Sequence, residues 1–192
     1  MFPIVEVPDE APDFPEPVGT KQKFRFQDHE AHAGLSEAHD CLFKEGRPNT
    51  GDDWSEKAAS ELCELIGLPH ARYDLAIWKG RRGVADREDR LTTCDTQRSV
   101  GRYVDRARSA FYASSSSKRP LLTLEVFREA GKLRPQAADA WLERLRQVSS
   151  QDVACIFDQI PSDRITSVAS RFAQKMLELN RQRLLALQGA WS

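Results

Sequence analysis

The spacing of apolar residues changes near residue 90, and this change limits the folds open to the 192-residue chain. Before it, short segments such as residues 21–26 and 71–78 alternate polar and apolar side chains, which is typical of half-buried strands. Beyond it, apolar residues recur at helical spacing. We therefore predict an α+β protein, with a small antiparallel sheet and one helix followed by an all-helical C-terminal part.

The N-terminal part begins with an acidic, proline-rich segment. Residues 1–18 hold five prolines, five acids and no base, which favours an extended arm with one short edge strand at residues 4–7. The predicted helix starts after Asp52 or Asp53, either of which can cap it, and Gly67 stops it.

Turn residues and helical stripes predict the remaining elements. Lys79 and Gly80 form a tight turn that leads into a return strand at residues 82–85. Pro135 suits the first turn of a helix, and Ser162 is the expected cap of the last helix. The predicted helices of the C-terminal part cover residues 100–113, 122–130, 137–148, 150–160 and 163–187.

Charge and cysteine content exclude several functional classes. The net charge is −1, so no overall field favours nucleic acid or an anionic membrane, and neither is an expected partner. Residues 1–90 have a net charge of −7 and residues 91–192 of +6, which favours docking between the halves or reflects two solvated faces. The four cysteines are scattered without a C-x-x-C motif, and no signal peptide or membrane span is recognised, so a cytoplasmic location is expected.

Lys44 and Glu56 are the first candidates for a functional site. Lys44 ends a short apolar strand, where an ammonium can reach phosphate oxygens, and Glu56 lies in the first turns of the following helix. In protein kinases a strand lysine pairs with a helix glutamate. The alternative is an ordinary strand lysine beside a solvated acid.

Three further groups are weaker candidates. The segment Gly19-Thr20-Lys21-Gln22-Lys23 opens a strand, where glycine permits close approach to phosphate, but a plain turn explains it equally. His29, His32 and His39 lie among acids that suit a metal, although a solvated loop is favoured and no metal ligand is predicted. A basic helix carries Arg102, Arg106 and Arg108, which suit an acidic partner or a solvated face.

Several segments together resemble bacterial HipA-like kinase-domain proteins. The resemblance covers most of residues 17–88 and about 120–188, and its most specific part is the order GDDWSEK, helix, GLPHA, strand. The other matching segments are VGTKQKFRF, LFKEGRPNT, RYDLAIWKGRRGV and the tail from WLERLRQ to RQRLL.

The resemblance implies an ATP site and a division into four regions. In that family a glycine-containing segment covers the nucleotide, which implicates Gly19, Thr20, Lys21 and Lys23, and the ion pair corresponds to Lys44 and Glu56. ATP with Mg²⁺ and phosphorylation of protein serine are implied. The expected regions are an arm (1–18), a kinase N-lobe-like nucleotide-binding subdomain (19–90), a junction helix with a Ser-rich loop (91–121) and a helical C-terminal subdomain (122–192).

The chain departs from the family where catalysis takes place. HipA-like proteins carry a segment resembling N-x-D-R-H-x-x-N and then an acidic metal motif. Here LTTCDTQRSVGR stands at the seam, and Asp158 and Asp163 lack His and Asn neighbours. Because phosphoryl transfer needs metal ligands, we predict no catalytic residues, only weak ATP binding without a Mg²⁺ requirement, and a catalytically impaired kinase homologue.

The absence of the catalytic segment is also compatible with origins other than impaired catalysis. A sequence artefact or a truncated gene product would remove the segment, and a partner chain could supply it. In a different class of function, the chain is a regulatory or interaction module whose C-terminal helices bind a protein partner or self-associate.

Overall fold

The computed structural model describes residues 1–10, 23–28, 39–47, 50–81, 100–101 and 104–191. Within these residues the predicted α+β class is confirmed, with helices filling the C-terminal part. The described strands are β1 (Ile4–Glu6), β2 (Lys23–Asp28), β3 (His39–Lys44) and β4 (Leu75–Ile77). The helices are α1 (Asp52–Ile66), α2 (Thr123–Leu133), α3 (Pro135–Gln147), α4 (Ser150–Asp158) and α5 (Ser167–Leu185).

The strands form two two-stranded sheets. Strands β2 and β3 are antiparallel, as expected. Strand β1 pairs with β4 in parallel, and the amide of Val7 extends the pairing by donating to Ile77 O at 2.9 Å. A parallel pair needs a crossover connection, and helix α1 lies in the chain between these strands. The sheet therefore differs from the single antiparallel sheet predicted, and the strand predicted over residues 71–78 is shorter.

Helix α1 begins at a glycine and not at an acidic cap. The residue before it, Gly51, has a φ of 69° and makes no side-chain cap hydrogen bond. Asp52 and Asp53 lie instead in the first turn, where carboxylates interact favourably with the helix dipole. Gly67 ends the helix with a φ of 67°, as its position in the sequence predicts.

Local sequence signals account for the ends of the C-terminal helices. Pro135 is the first residue of α3. Ser149 caps α4 and exchanges hydrogen bonds with Asp152, which forms a capping box. The cap of α5 is Thr166 and not the predicted Ser162, and its side chain accepts a hydrogen bond from the amide of Ala169.

The helix predicted over residues 100–113 is wrong in its second half. Helical backbone is present at residues 100–101 and 104–105, but residues 107–113 are not helical. Leu121 N donates to Phe111 O at 2.8 Å, and Arg108 forms a bridge with Leu122. The chain folds back here because the apolar side chains of this stretch are exposed and offer no buried helical stripe. The predicted return strand at residues 82–85 lies outside the described residues.

Two hydrophobic clusters support these elements. The larger, here called the helical core, joins α1, β4, α4 and α5 to the N-terminal segment, and the hairpin core lies beneath β2 and β3. The helical core consists of Phe2, Ala58, Leu75, Ile156, Phe157, Ile160 and Ala173. The hairpin core consists of Val7, Phe24, Phe26, Phe43 and Trp78. Across the described part of the chain, none of the helices is both long and apolar enough to span a bilayer.

Candidate functional site

A groove of about 440 Å³ lies beside the end of β3 and the first turns of α1. Its other walls come from residues 71–76 and from Arg164, which follows α4. The described lining includes five basic side chains and five acidic ones, so the charge of the groove is balanced. These charged residues are Lys23, Lys44, Arg72, Arg81, Arg164, Glu45, Asp52, Asp53, Glu56 and Asp74.

Lys44 and Glu56 form an ion pair at the mouth of the groove. The Lys44 Nζ atom lies 2.6 Å from Glu56 Oε1, and the two side chains are 33% and 27% exposed. Lys44 is placed by the last position of β3 and Glu56 by the second turn of α1. The structure thus brings together the two residues that the sequence singled out, although a role in binding phosphate stays a prediction.

A second lysine lies directly across the hairpin. Lys23 is the register partner of Lys44 at the end of β2 and β3, and both side chains line the groove. Directly opposed residues of an antiparallel pair share a face, and like charges there repel each other. An anion in the groove would relieve that repulsion. The other predicted phosphate contacts, Gly19, Thr20 and Lys21, lie outside the described residues.

The floor of the groove contains an ion pair that no sequence pattern predicted. Arg164 donates from Nη1 to Asp53 Oδ2 at 3.2 Å and from Nη2 to the carbonyl oxygen of Ala76 at 3.2 Å. Its side chain is 1% exposed and that of Asp53 is 12% exposed. The partners are 111 positions apart, so no local signal could have revealed the contact.

This buried pair is not fully hydrogen-bonded. Arg164 Nε and Asp53 Oδ1 are both buried and have no hydrogen-bond partner within the described part of the chain. Buried polar atoms without partners raise the free energy of the folded state. The floor therefore combines a strong electrostatic contact with a local penalty.

Lys57, also on α1, has a structural environment that differs from that of Lys44. Its Nζ atom lies 2.7 Å from Glu61 and 3.0 Å from Asp74, and it stands over the ring of Phe2 at 4.7 Å. Burial opposes the charged form, but the hydrogen bonds with Glu61 and Asp74 outweigh it and raise the pKa of Lys57. These contacts tie the N-terminal segment to α1, and Lys57 does not line the groove.

The remaining candidates take no part in the described groove. Of the histidines in the predicted polar loop, His29 and His32 lie outside the described residues. Among the residues that are described, no group of three or more His, Cys, Asp or Glu side chains is arranged to hold a metal ion. Arg106 and Arg108 are exposed on a turn and an extended segment and not on the predicted helix.

Neither protein-family models, nor curated proteins, nor solved structures give a match to this chain. The resemblance to HipA-like kinase-domain proteins stays a prediction from the sequence. The groove and its contacts are the remaining basis for a functional proposal.

Proposed function

We propose that the chain is a HipA-like serine/threonine kinase homologue that binds ATP weakly in the groove and is catalytically impaired. The observation that carries this proposal is the 2.6 Å contact between Lys44 and Glu56 at the mouth of the groove. A strand lysine held by a helix glutamate is the arrangement that kinases use to contact nucleotide phosphates.

The environment of Lys44 supports binding of an anion. An ammonium has three hydrogen-bond donors, so one carboxylate does not exhaust it. Lys23 adds a second positive charge from the opposite strand. The acidic lining residues offset much of this attraction, and for that reason we propose weak binding.

The proposed impairment follows from the missing catalytic segment. Transfer of a phosphoryl group needs a base near the acceptor hydroxyl and metal ions that neutralise the developing charge. Without the motifs that supply these groups in HipA-like proteins, the chain would hold a nucleotide without turning it over. ATP binding is therefore expected to change little when Mg²⁺ is removed.

Thermal unfolding with and without ATP tests the proposal. A ligand at ten times its Kd stabilises the folded state by about 1.4 kcal/mol, and ATP is expected to raise the Tm of the wild-type chain both in Mg²⁺ and in EDTA. Lys44→Ala should abolish the shift. Lys132→Ala is the matched control, because Lys132 pairs with Glu129 on the surface of α2 and should leave the shift intact.

Two results would contradict the proposal. The first is a wild-type Tm that does not respond to millimolar ATP. The second is an equal ATP shift in Lys44→Ala and in the wild type, which would place any bound nucleotide elsewhere.

An interaction module is a second candidate, favoured by the loop between Arg106 and Leu122. Its Phe111 and Tyr112 side chains are 65% and 54% exposed, and the loop carries four basic residues and no acid. Aromatic and arginine side chains are enriched at protein interfaces. Self-association through this loop should appear as a concentration-dependent elution volume in size-exclusion chromatography, and Phe111→Ser with Tyr112→Ser should abolish it.

A further inference from the structure

We propose that Arg164 is a positioning residue of the groove, through which the C-terminal helical part controls the Lys44–Glu56 pair. Only the consequence for nucleotide binding rests on the function proposed above. The effect on the ion pair concerns the folded chain alone and can be measured without any ligand.

Arg164 connects three parts of the chain that are distant in sequence. It lies in the turn between α4 and α5, where its amide donates to Pro161 O at 2.9 Å. Its guanidinium reaches Asp53 in the first turn of α1 and the carbonyl of Ala76 in β4, each at 3.2 Å. A single side chain from the C-terminal part therefore fixes the start of α1 against the sheet.

The start of α1 sets the position of Glu56. Asp53 and Glu56 are three positions apart, so their side chains lie on the same face of the helix, one turn from each other. Holding Asp53 fixes the rotation and the axial position of this turn. Glu56 is thereby held at 2.6 Å from Lys44 Nζ.

Loss of the guanidinium would disturb this turn because Asp53 is buried. Without Arg164, the Asp53 carboxylate would lack its opposite charge, and Asp53 Oδ1 already has no hydrogen-bond partner among the described residues. A buried charge without a partner is costly, so the turn is expected to shift until the carboxylate reaches water. Glu56 would then move with it and release Lys44.

Acetylation of lysines measures this release in the protein without ligand. The chain is treated briefly with acetic anhydride, and the rate at Lys44 is read by peptide mass spectrometry relative to Lys132 on α2. In Arg164→Met the relative rate should rise about two- to fivefold, as expected when a partly exposed ion pair is lost. Glu56→Gln should give a similar rise.

Two further variants make the test specific. Arg164→Lys keeps the charge but cannot donate to Asp53 and Ala76 together, so an intermediate rate is expected. Arg183→Met removes an arginine that pairs with Asp105 at 2.7 Å away from the groove lining, and its Lys44 rate should equal that of the wild type. If Arg164→Met does not fold, Arg164→Lys decides the test.

The proposal is overturned by a wild-type Lys44 rate in Arg164→Met, or in Arg164→Lys where only that variant folds. It is also overturned if Glu56→Gln leaves the Lys44 rate unchanged, because the ion pair would then not be what Arg164 maintains. A rise in Arg183→Met equal to that in Arg164→Met would likewise sink it, since the effect would be general loosening.

The nucleotide arm separates this inference from the proposed function. If ATP stabilises the wild type, Arg164→Met should lose most of that shift and Arg183→Met should retain it, and a shift kept in Arg164→Met would argue against positioning. If ATP does not stabilise the wild type, the proposed function fails, while the acetylation rates still decide whether Arg164 positions the pair.

Discussion

The floor and the mouth of the groove each contain one ion pair of helix α1, but the two pairs differ in burial. At the floor, the side chains of Arg164 and Asp53 are 1% and 12% exposed. At the mouth, those of Lys44 and Glu56 are 33% and 27% exposed. The floor pair joins residues from opposite ends of the chain, whereas the mouth pair joins residues only 12 positions apart.

The difference in burial assigns different work to the two pairs. A buried pair has left water on both sides, so removal of one partner leaves an uncompensated charge. A half-exposed pair is screened by solvent and contributes little to stability. The floor is thus suited to holding the fold together, and the mouth keeps charged groups within reach of a ligand.

The largest expected effect is the loss of stability in Arg164→Met. Removing one partner of a buried ion pair costs about 3–5 kcal/mol, because Asp53 would stay buried without its cation. Urea denaturation should therefore show a lower free energy of unfolding with an unchanged slope. Arg183→Met, which removes a more exposed pair with Asp105, should cost less than about 1 kcal/mol.

The double variant Asp53→Asn with Arg164→Met sharpens this comparison. With both charges gone, the desolvation penalty disappears, and the double variant is expected to be more stable than Arg164→Met alone. If the double variant instead lost the sum of the two single effects, Asp53 and Arg164 would act independently, and the floor would not be a coupled pair.

A smaller effect is expected at Gly51, where the chain enters α1. Its φ is 69°, and an added Cβ would lie 2.6 Å from the ring of Trp54. Gly51→Ala should therefore lose about 1–3 kcal/mol from strain and overlap. Gly80→Ala is the matched control, since Gly80 has a φ of 66° but nothing within 4 Å of its Cβ position. Equal losses in the two variants would exclude the overlap with Trp54 as a cause.

Stability is expected to change least at the mouth. Lys44→Ala and Glu56→Gln should each alter the free energy of unfolding by no more than about 1 kcal/mol, because the pair is half-exposed. Urea denaturation measures both variants beside Arg164→Met. A loss at Lys44 as large as that at Arg164 would erase the contrast between mouth and floor.

The contrast also explains which parts of the site could be read from sequence. Lys44 and Glu56 are carried by adjacent elements, and the order strand, turn, helix brings their side chains together over a short stretch of chain. The signals for α1 and for the strand near residues 4–7 are equally local, since they depend on glycine stops, apolar spacing and proline. These features agree with the predictions.

Long-range contacts were not predictable in this way. Nothing near Asp53 or Arg164 in the sequence indicates that they meet, because the contact depends on how α4 and α5 pack beneath β4. The burial of Phe2 has the same origin, since its ring enters a core made largely by the C-terminal helices. The helix predicted through residue 113 failed because hydrogen bonds to residues 121–122 compete with helical ones in a stretch without a buried face.

A fully exposed charged contact extends the comparison beyond floor and mouth. At the start of α4, Ser149 donates to Asp152 Oδ2 from its amide at 2.8 Å and from its hydroxyl at 2.7 Å. These hydrogen bonds lower the pKa of Asp152 from its ordinary value of 3.8. The stabilisation is therefore present above pH 3.8 and is lost as the pH falls through the lower pKa of the folded state.

Ser149→Ala tests this contact with the smallest expected effect. The variant keeps the amide donor but loses the hydroxyl, so the pKa of Asp152 should move part of the way back toward its ordinary value in an NMR titration. The pKa of Glu178, lowered by its hydrogen bond with Arg181 on α5, serves as the internal control and should not change. An unchanged pKa at Asp152 would mean that the hydroxyl contributes nothing in water, and the ranking by burial would then end at the mouth of the groove.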